Sequence, residues 1–259
     1  MDHFKGFLVA MLAVCACAAA PRAPMHDIDP KADAVLRKMS GTLAAVKQFS
    51  YTASATTDQT LDNGQKVQLA KTVKVIVRRP DCIASSIVGD EENLQFMYCK
   101  KSVGLTNLRE NCYAVAAVPD NIDAMFDTLA EKYGITTPLS DLMFSDPYAV
   151  LTERVRTGAY LGLHYVGETK CHHLAFRQEA VDWQIWIEDS EKALPRKVVI
   201  TYKEVPGHPQ FVAVLDDWNL DPQVSDSTFE FKPIPGCKQI ELQTIRDSRA
   251  ATPGANSKP

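Results

Sequence analysis

The sequence lacks the features that mark several common classes of protein. Beyond residue 20 it has no apolar run of about 18 residues, the length that a membrane-spanning helix needs. Its 28 Lys and Arg and 32 Asp and Glu leave a formal net charge of −4, and no basic patch stands out. We therefore expect no internal membrane span and no nucleic acid among the partners.

Catalytic signatures are absent as well. The chain contains no G-x-S-x-G, H-E-x-x-H, P-loop or G-x-G-x-x-G motif. Only six histidines occur, and His3 and His26 precede the predicted domain. Adjacent acidic residues such as Asp216-Asp217 fall at predicted strand ends, where solvated charges are more common than acid–base pairs. We expect a non-enzymatic protein with no catalytic residue, no cofactor and no metal.

The N-terminus has the layout of a secretory signal peptide. A single lysine is followed by an apolar run and then by small residues, which predicts a signal over residues 1–20 that is cleaved between Ala16 and Arg22. Export would place the protein in the periplasm. The alternatives are an uncleaved N-terminal membrane anchor and lipid attachment at Cys17, whose surrounding residues make a poor lipobox.

The remaining chain predicts one domain over residues 29–243, between a leader at 21–28 and a disordered tail at 244–259. Asp29 and Pro30 are typical of a helix start, and an apolar stripe follows them. The other predicted elements are a hairpin at Asn63-Gly64, strands at 83–88, 94–99, 103–108 and 112–118, a helical insert at 120–155, and strands at 160–166, 171–177, 182–188, 197–204 and 211–218. Within the insert, Asp120 is the predicted cap of a helix that ends at Gly134, and residues 138–155 predict a broken helix pair in which Asp146 is the cap. This order favours an α+β fold with one antiparallel sheet and helices on one face.

The stretch "CHHLAFRQEAVDWQIWIE" at residues 171–188 resembles a metal site, but strand alternation argues against one. Pairing 171–177 with 182–188 places one nearly continuous apolar set on a single face and sets Arg177 opposite Asp182. His172 and His173 then point to opposite sides of the sheet and cannot share one ion. His173 is expected on the outer face beside Trp186, and His172 on the apolar face, either as a satisfied core histidine or as a ligand contact.

Five cysteines lie beyond the signal, an odd number, so at least one remains free or pairs between chains. In the hairpin formed by residues 83–88 and 94–99, Cys82 and Cys99 are directly opposite each other, on the face away from the apolar residues. This register predicts a cross-strand disulfide in an oxidising compartment. Cys112, Cys171 and Cys237 are left without an assigned partner.

The runs "VIVRRPD", "NCYAVAAVPDNIDAMFDTLAEKYGITTPLSDLMFSDPYAVL", "CHHLAFRQEAVDWQIWIE", "LPRKVVITYK" and "DWNL" resemble a bacterial domain-of-unknown-function family of predicted periplasmic proteins, from about residue 29 to 235. Cys82, Cys99 and Cys112 depart from that family's pattern. The family in turn resembles, more distantly, the half-barrel fold of the lipoprotein carrier LolA and the receptor LolB. This resemblance implies a strongly curved antiparallel sheet whose helices cover the concave face over an apolar cavity.

Together these features predict a monomer that binds a hydrophobic ligand, such as a lipid, an acyl chain or a lipoprotein. An envelope protein is a second candidate partner. If the core is filled, the alternative is a protein-binding sensor or scaffold module of the envelope, and a hydrolase is a more remote alternative. The residues expected to line the cavity are Phe96, His172, Leu174, Phe176, Trp183, Ile185, Ile187, Ile200 and Tyr202.

Overall fold

A computed structural model describes residues 27–245. The predicted signal peptide and nearly all of the predicted tail therefore lie outside the described residues. Within the predicted leader, Asp27 and Ile28 form a short strand, so regular structure begins two residues before the predicted domain boundary. No helix between residues 27 and 245 combines the length and apolar character needed to cross a membrane.

The described chain contains three α-helices and thirteen strands. The helices are α1 (Pro30–Ala45), α2 (Ile122–Tyr133) and α3 (Pro147–Thr152), with a 3₁₀ turn at Ser140–Leu142. The strands are β1 (Asp27–Ile28), β2 (Gln48–Thr60), β3 (Lys66–Arg78), β4 (Cys82–Gly89), β5 (Asn93–Cys99), β6 (Ser102–Asn107), β7 (Cys112–Ala117), β8 (Thr157–Val166), β9 (Thr169–Arg177), β10 (Val181–Glu188), β11 (Pro195–Tyr202), β12 (Gln210–Asn219) and β13 (Lys238–Gln239).

All strands belong to one unclosed, curved sheet in the order β1-β8-β9-β10-β11-β12-β2-β3-β4-β5-β6-β7-β13. Neighbours are antiparallel except at the two edges, where β1 and β13 pair in parallel with β8 and β7. The helices pack on one face, the concave one, and share a single core with the strands. The predicted fold, a curved antiparallel sheet with helices over its concave face, is confirmed.

Helix ends follow the local sequence. The Asp29 carboxylate accepts hydrogen bonds from the first-turn amides of α1, and Pro30 occupies the first helical position, as predicted. The cap of α2 is Asn121 rather than the predicted Asp120; the Asn121 side chain accepts from the amide of Ala124. Gly134 ends α2 in the left-handed conformation with φ 67°, which glycine adopts at little cost.

The predicted helix pair over 138–155 is shorter than expected. It forms one 3₁₀ turn and the six-residue helix α3, whose N-terminal amides are capped by Asp146 as predicted. Leu139 has a left-handed backbone, with φ 72°, immediately before the 3₁₀ turn. This conformation interrupts regular helix, because right-handed φ and ψ must persist over a full turn for α-helical hydrogen bonds to form.

Both predicted hairpin registers are confirmed. Ile83 pairs with Tyr98 in β4–β5, and His172 pairs with Ile187 in β9–β10. Strand alternation also predicts that Tyr202 of β11 lies opposite Trp183 of β10, but this alignment is displaced by two residues, and Trp183 pairs with Ile200. The even displacement keeps the apolar residues on the predicted face, and a separate bulge lies between Trp186 and Ile187.

The convex face is also covered where the sheet contains β4 and β5. Cys82 and Cys99 form the predicted disulfide, with their Cα atoms 4.1 Å apart. Next to this bridge, Cys82 and Ala84 are buried with Phe229, which belongs to the segment after β12. The sequence alone did not predict this second apolar cluster, because a single phenylalanine in a polar segment carries no periodic signal.

Candidate functional site

An apolar cavity of about 100 Å³ lies between the sheet and the segment that follows α2. Its floor comes from β10 and β11, and its roof from the 3₁₀ turn and α3. Nine apolar residues line it: Leu139, Leu142, Val150, Leu151, Val181, Trp183, Ile185, Val198 and Ile200. Strand alternation explains the floor, since every second residue of each strand points to the same side.

Two polar residues complete the lining, Asp141 in the 3₁₀ turn and Gln178 in the β9–β10 turn. The half-buried Asp141 carboxylate has no hydrogen-bond or ion-pair partner among residues 27–245. Burial raises the pKa of this carboxyl above its ordinary value, because the ionised form loses water and gains no compensating partner. The cavity is thus apolar with one uncompensated acid in its wall.

The roof of the cavity belongs to residues 135–156, which we call the cover segment. The guanidinium of Arg79 donates to the carbonyl of Met143 at 2.8 Å, and the amide of Ser145 donates to Asp123 at 2.9 Å. The Tyr148 hydroxyl donates to Asp33 of α1. Polar contacts at three points therefore hold a segment whose underside is apolar.

The structure brings together only some of the predicted cavity residues. Trp183, Ile185 and Ile200 line the cavity. Leu174, Phe176 and Ile187 are fully buried in the core but do not line it, and Tyr202 packs at the margin of the core. Phe96 lies on β5, separated from β10 in the sheet by β11, β12, β2, β3 and β4. The predicted strand registers assign these residues to the correct face of the sheet. The order of the strands then determines which residues on that face are close together.

His172 lies outside the cavity lining and has protein partners on both ring nitrogens. Its Nδ1 is 2.9 Å from the Tyr160 hydroxyl, and its Nε2 is 3.1 Å from an Asp189 carboxylate oxygen. This arrangement corresponds to the satisfied-histidine alternative rather than to a polar contact in the wall of the cavity. The ring links β8, β9 and the turn after β10.

His173 lies on the opposite face, as predicted, and stacks on Trp186 with ring centroids 3.8 Å apart. That face is not open to solvent here: His173 is 7% exposed and bonds to His164 and Gln184 at 2.9 and 3.0 Å. Burial lowers the pKa of His173, assisted by the nearby His164 and Lys197 charges and opposed by its Gln184 hydrogen bond. The contact with His164, which lies in the neighbouring strand β8, had no signal in the sequence.

The three remaining cysteines are free thiols in the structure. Cys171 is fully buried, and burial raises its pKa to about 11. A thiol in this state is almost entirely protonated at neutral pH and is a poor nucleophile. Cys112 and Cys237 are half-buried near the β7–β13 edge.

Several solved structures resemble this chain at low sequence identity. The Mycobacterium tuberculosis lipoprotein LppX is 11% identical with a TM-score of 0.43, and the alignment covers 76% of this chain and 100% of the LppX chain. An uncharacterised conserved protein from Thermus thermophilus is 8% identical with a TM-score of 0.47, covering 82% and 99%. A LolA superfamily protein from Nitrosomonas europaea is 10% identical with a TM-score of 0.36, covering 77% and 97%. Scores at this level carry no information about a ligand.

No curated protein sequence matches the chain. The profile of one family, DUF2092, described as predicted periplasmic protein, matches residues 32–243. That range runs from the first turn of α1 to the segment after β13, and therefore includes both walls of the cavity and the disulfide. It agrees with the periplasmic location and with the family resemblance inferred from the sequence. The chain belongs to the DUF2092 family of predicted periplasmic proteins.

Proposed function

We propose that this protein binds an apolar chain, such as the acyl chain of a lipid, in the cavity beneath the cover segment, without catalysing a reaction. The observation that carries the proposal is the cavity itself: a partly open pocket lined by nine apolar side chains between the sheet and the cover segment. Each methylene buried there would contribute about 0.8 kcal/mol. Trp183, Ile185 and Ile200 are the proposed floor contacts.

The cavity size requires the cover segment to move when a long chain binds. An apolar cavity of about 150 Å³ accommodates one benzene molecule in another protein, so 100 Å³ holds only a few carbon atoms. The tethers of the cover segment are polar, and the Ser145–Asp123 contact is exposed, so its hydrogen bonds can be exchanged for bonds to water. Separation of cover and sheet would lengthen the cavity along β10 and β11.

The second candidate is a protein-binding module that keeps this cavity closed. The short cover segment and the extensive buried core favour it, because a small cavity is compatible with an ordinary domain interior. The two candidates differ in ligand dependence. A lipid binder should co-purify with an apolar molecule or be stabilised by one, whereas a scaffold module should show neither.

The direct test is titration with N-phenyl-1-naphthylamine, an uncharged fluorescent probe, together with native mass spectrometry of the purified protein. We expect saturable binding and a melting temperature that rises in proportion to the logarithm of probe concentration. Trp183→Ala should weaken binding by about tenfold or more, because it removes the largest aromatic wall of the cavity. The absence of both binding and stabilisation in the wild-type protein would favour the scaffold module.

Trp186→Ala is the matched control for this substitution. Trp186 lies further along the same strand but on the opposite face, stacked on His173 and outside the cavity. The Trp186→Ala variant should be less stable than the wild type but should bind the probe with the same affinity. Trp183 also stacks on Phe176, with centroids 4.1 Å apart, so its removal is expected to cost about 3–5 kcal/mol of stability in addition. If that variant does not fold, Val150→Phe partly fills the cavity from the cover side and should block the probe.

A further inference from the structure

The acid in the cavity wall constrains the chemistry of the proposed ligand. Asp141 and Gln178 are the only polar side chains among the residues that line the cavity, and the other nine are apolar. An apolar cavity needs no polar group to hold a chain. A carboxyl without a partner in such a wall is costly, since a buried polar group normally finds a hydrogen bond.

No cation within residues 27–245 compensates Asp141. Lys203 is the neighbouring candidate, because its ammonium donates to the carbonyl of Gln178 at the cavity rim. That ammonium is already paired with Asp182 at 2.9 Å. Arg177 lies 3.7 Å from the same Asp182 carboxylate oxygen and is largely exposed. The charge of Asp141 therefore acts on whatever occupies the cavity.

Building on the proposed function, we infer that the cavity selects an amphiphile whose polar end carries an ammonium group, and disfavours one that ends in a carboxylate. The ammonium would bond to Asp141 and the side-chain carbonyl of Gln178, while the chain lies against Trp183 and Ile200. A carboxylate head in the same place would face the Asp141 charge at short range. Opposite and like charges a few ångströms apart differ by more than one order of magnitude in binding when partly removed from water.

The ammonium group has two sources in a bacterial envelope, a free long-chain amine and the ethanolamine head of a phospholipid. Both present three N–H donors, which match a carboxylate and an amide carbonyl. They differ in the phosphate that follows the ammonium group in the phospholipid. Matched probes can separate the two sources.

The test compares dodecylamine, dodecanol and dodecanoate, each below its critical micelle concentration, as competitors of the fluorescent probe at pH 7.5. In the wild-type protein, dodecylamine should bind about tenfold or more tightly than dodecanoate. Asp141→Asn should reduce this ratio to about threefold or less, while dodecanol affinity changes little. Asp127→Asn, a change of an exposed acid on α2, should leave the ratio as in the wild type.

The possible outcomes separate binding of an apolar chain from selectivity for an ammonium head. Failure of dodecanol to bind would contradict the proposed function itself. Binding of dodecanol with equal affinities for amine and carboxylate, or a ratio unchanged by Asp141→Asn, would overturn only the selectivity for an ammonium head. A final comparison uses two single-chain lipids, lysophosphatidylethanolamine and lysophosphatidylglycerol, to distinguish a phospholipid head from a free amine. Preference for the ethanolamine lipid supports a phospholipid ligand, and binding of dodecylamine alone supports a free amine.

Discussion

The two halves of the sheet are covered in different ways. The half formed by β8–β12, the cavity half, is covered on its concave face by α1 and the cover segment, and a cavity remains under the cover segment. The half formed by β3–β7, the disulfide half, is covered on both faces: by α2 on the concave side and by Phe229 of the C-terminal segment on the convex side. The disulfide half therefore has two packed layers where the cavity half has one.

The C-terminal segment on the convex face and the cover segment on the concave face differ in how closely they pack against the sheet. This difference explains why a cavity is found only under the cover segment. On the convex face, the Phe231 ring lies so close to Gly104 that a Cβ atom there would be 2.1 Å from it, and Arg78 stacks on Phe229 at 4.5 Å. Such packing leaves no space for a ligand. The cover segment instead contacts the sheet through aliphatic side chains on short helical turns. We interpret the disulfide half as a rigid support and the cavity half as the part that can open.

The largest expected effect is the loss of stability when one buried side chain in each half of the sheet is truncated to alanine. Phe229→Ala should destabilise the protein by about 3–5 kcal/mol, because it empties a fully buried site between packed layers. Leu142→Ala, equally buried but bordering the existing cavity, should cost about 2 kcal/mol, the low end of the range for leucine. Urea unfolding measures both. A larger loss for Leu142→Ala would show that the cavity half is the better packed one.

Probe binding provides the second readout for this pair. Phe229 lies on the opposite face of the sheet from the cavity, so Phe229→Ala should leave probe affinity unchanged under conditions where the protein stays folded. Leu142→Ala should alter affinity, because Leu142 is part of the roof. Equal changes of affinity in both variants would contradict the separation of the sheet into a support and an opening half.

An intermediate effect is expected for loss of the disulfide. The bond links residues 17 positions apart, and closure of a loop of that length stabilises a protein by about 2–3 kcal/mol. The double variant Cys82→Ala/Cys99→Ala should therefore unfold at lower urea concentration and yet bind the probe as the wild type does. Reduction of the wild-type protein by dithiothreitol is the control and should match it. Weakened binding in either case would show that the disulfide half shapes the cavity.

The sequence predicted the fold well because strand alternation carries a strong signal here. A one-residue slip would destroy opposed pairs such as Ile83–Tyr98 and Arg177–Asp182, and the disulfide followed from the same alternation. The two-residue displacement of Tyr202 illustrates the limit of this method. An even slip keeps every side chain on its face, so the hydrophobic pattern cannot detect it.

The site was less predictable than the fold. Sequence alternation assigned Phe96 and Trp183 to one apolar face, but only the order of the strands shows that they are far apart within it. Asp141 carries no distinctive signal in the sequence, because an aspartate in "PLSDLMF" resembles any surface acid or helix cap. Its significance depends on the absence of a partner within residues 27–245, which is a property of the tertiary structure. The convex cover by Phe229 was missed for a related reason, since irregular segments have no periodicity.

The smallest expected effect concerns the pH dependence of stability in the cavity half. Burial raises the pKa of Asp141 in the folded protein above the ordinary value of 3.8. Folding therefore favours the protonated acid, and this contribution to stability is fully present below pH 3.8 and is lost as the pH rises through the folded-state pKa.

Asp141→Asn mimics the neutral form at every pH. It should raise the melting temperature at pH 7 by about 2–4 °C, the shift that about 1 kcal/mol produces in a domain of this size, and the gain should shrink toward zero near pH 3.5. Asp127→Asn, at an exposed site, should show no such trend. A gain for Asp141→Asn that is equal at both pH values would indicate that the carboxylate is not destabilised by its apolar surroundings, and would remove the physical basis for an ammonium-selective cavity.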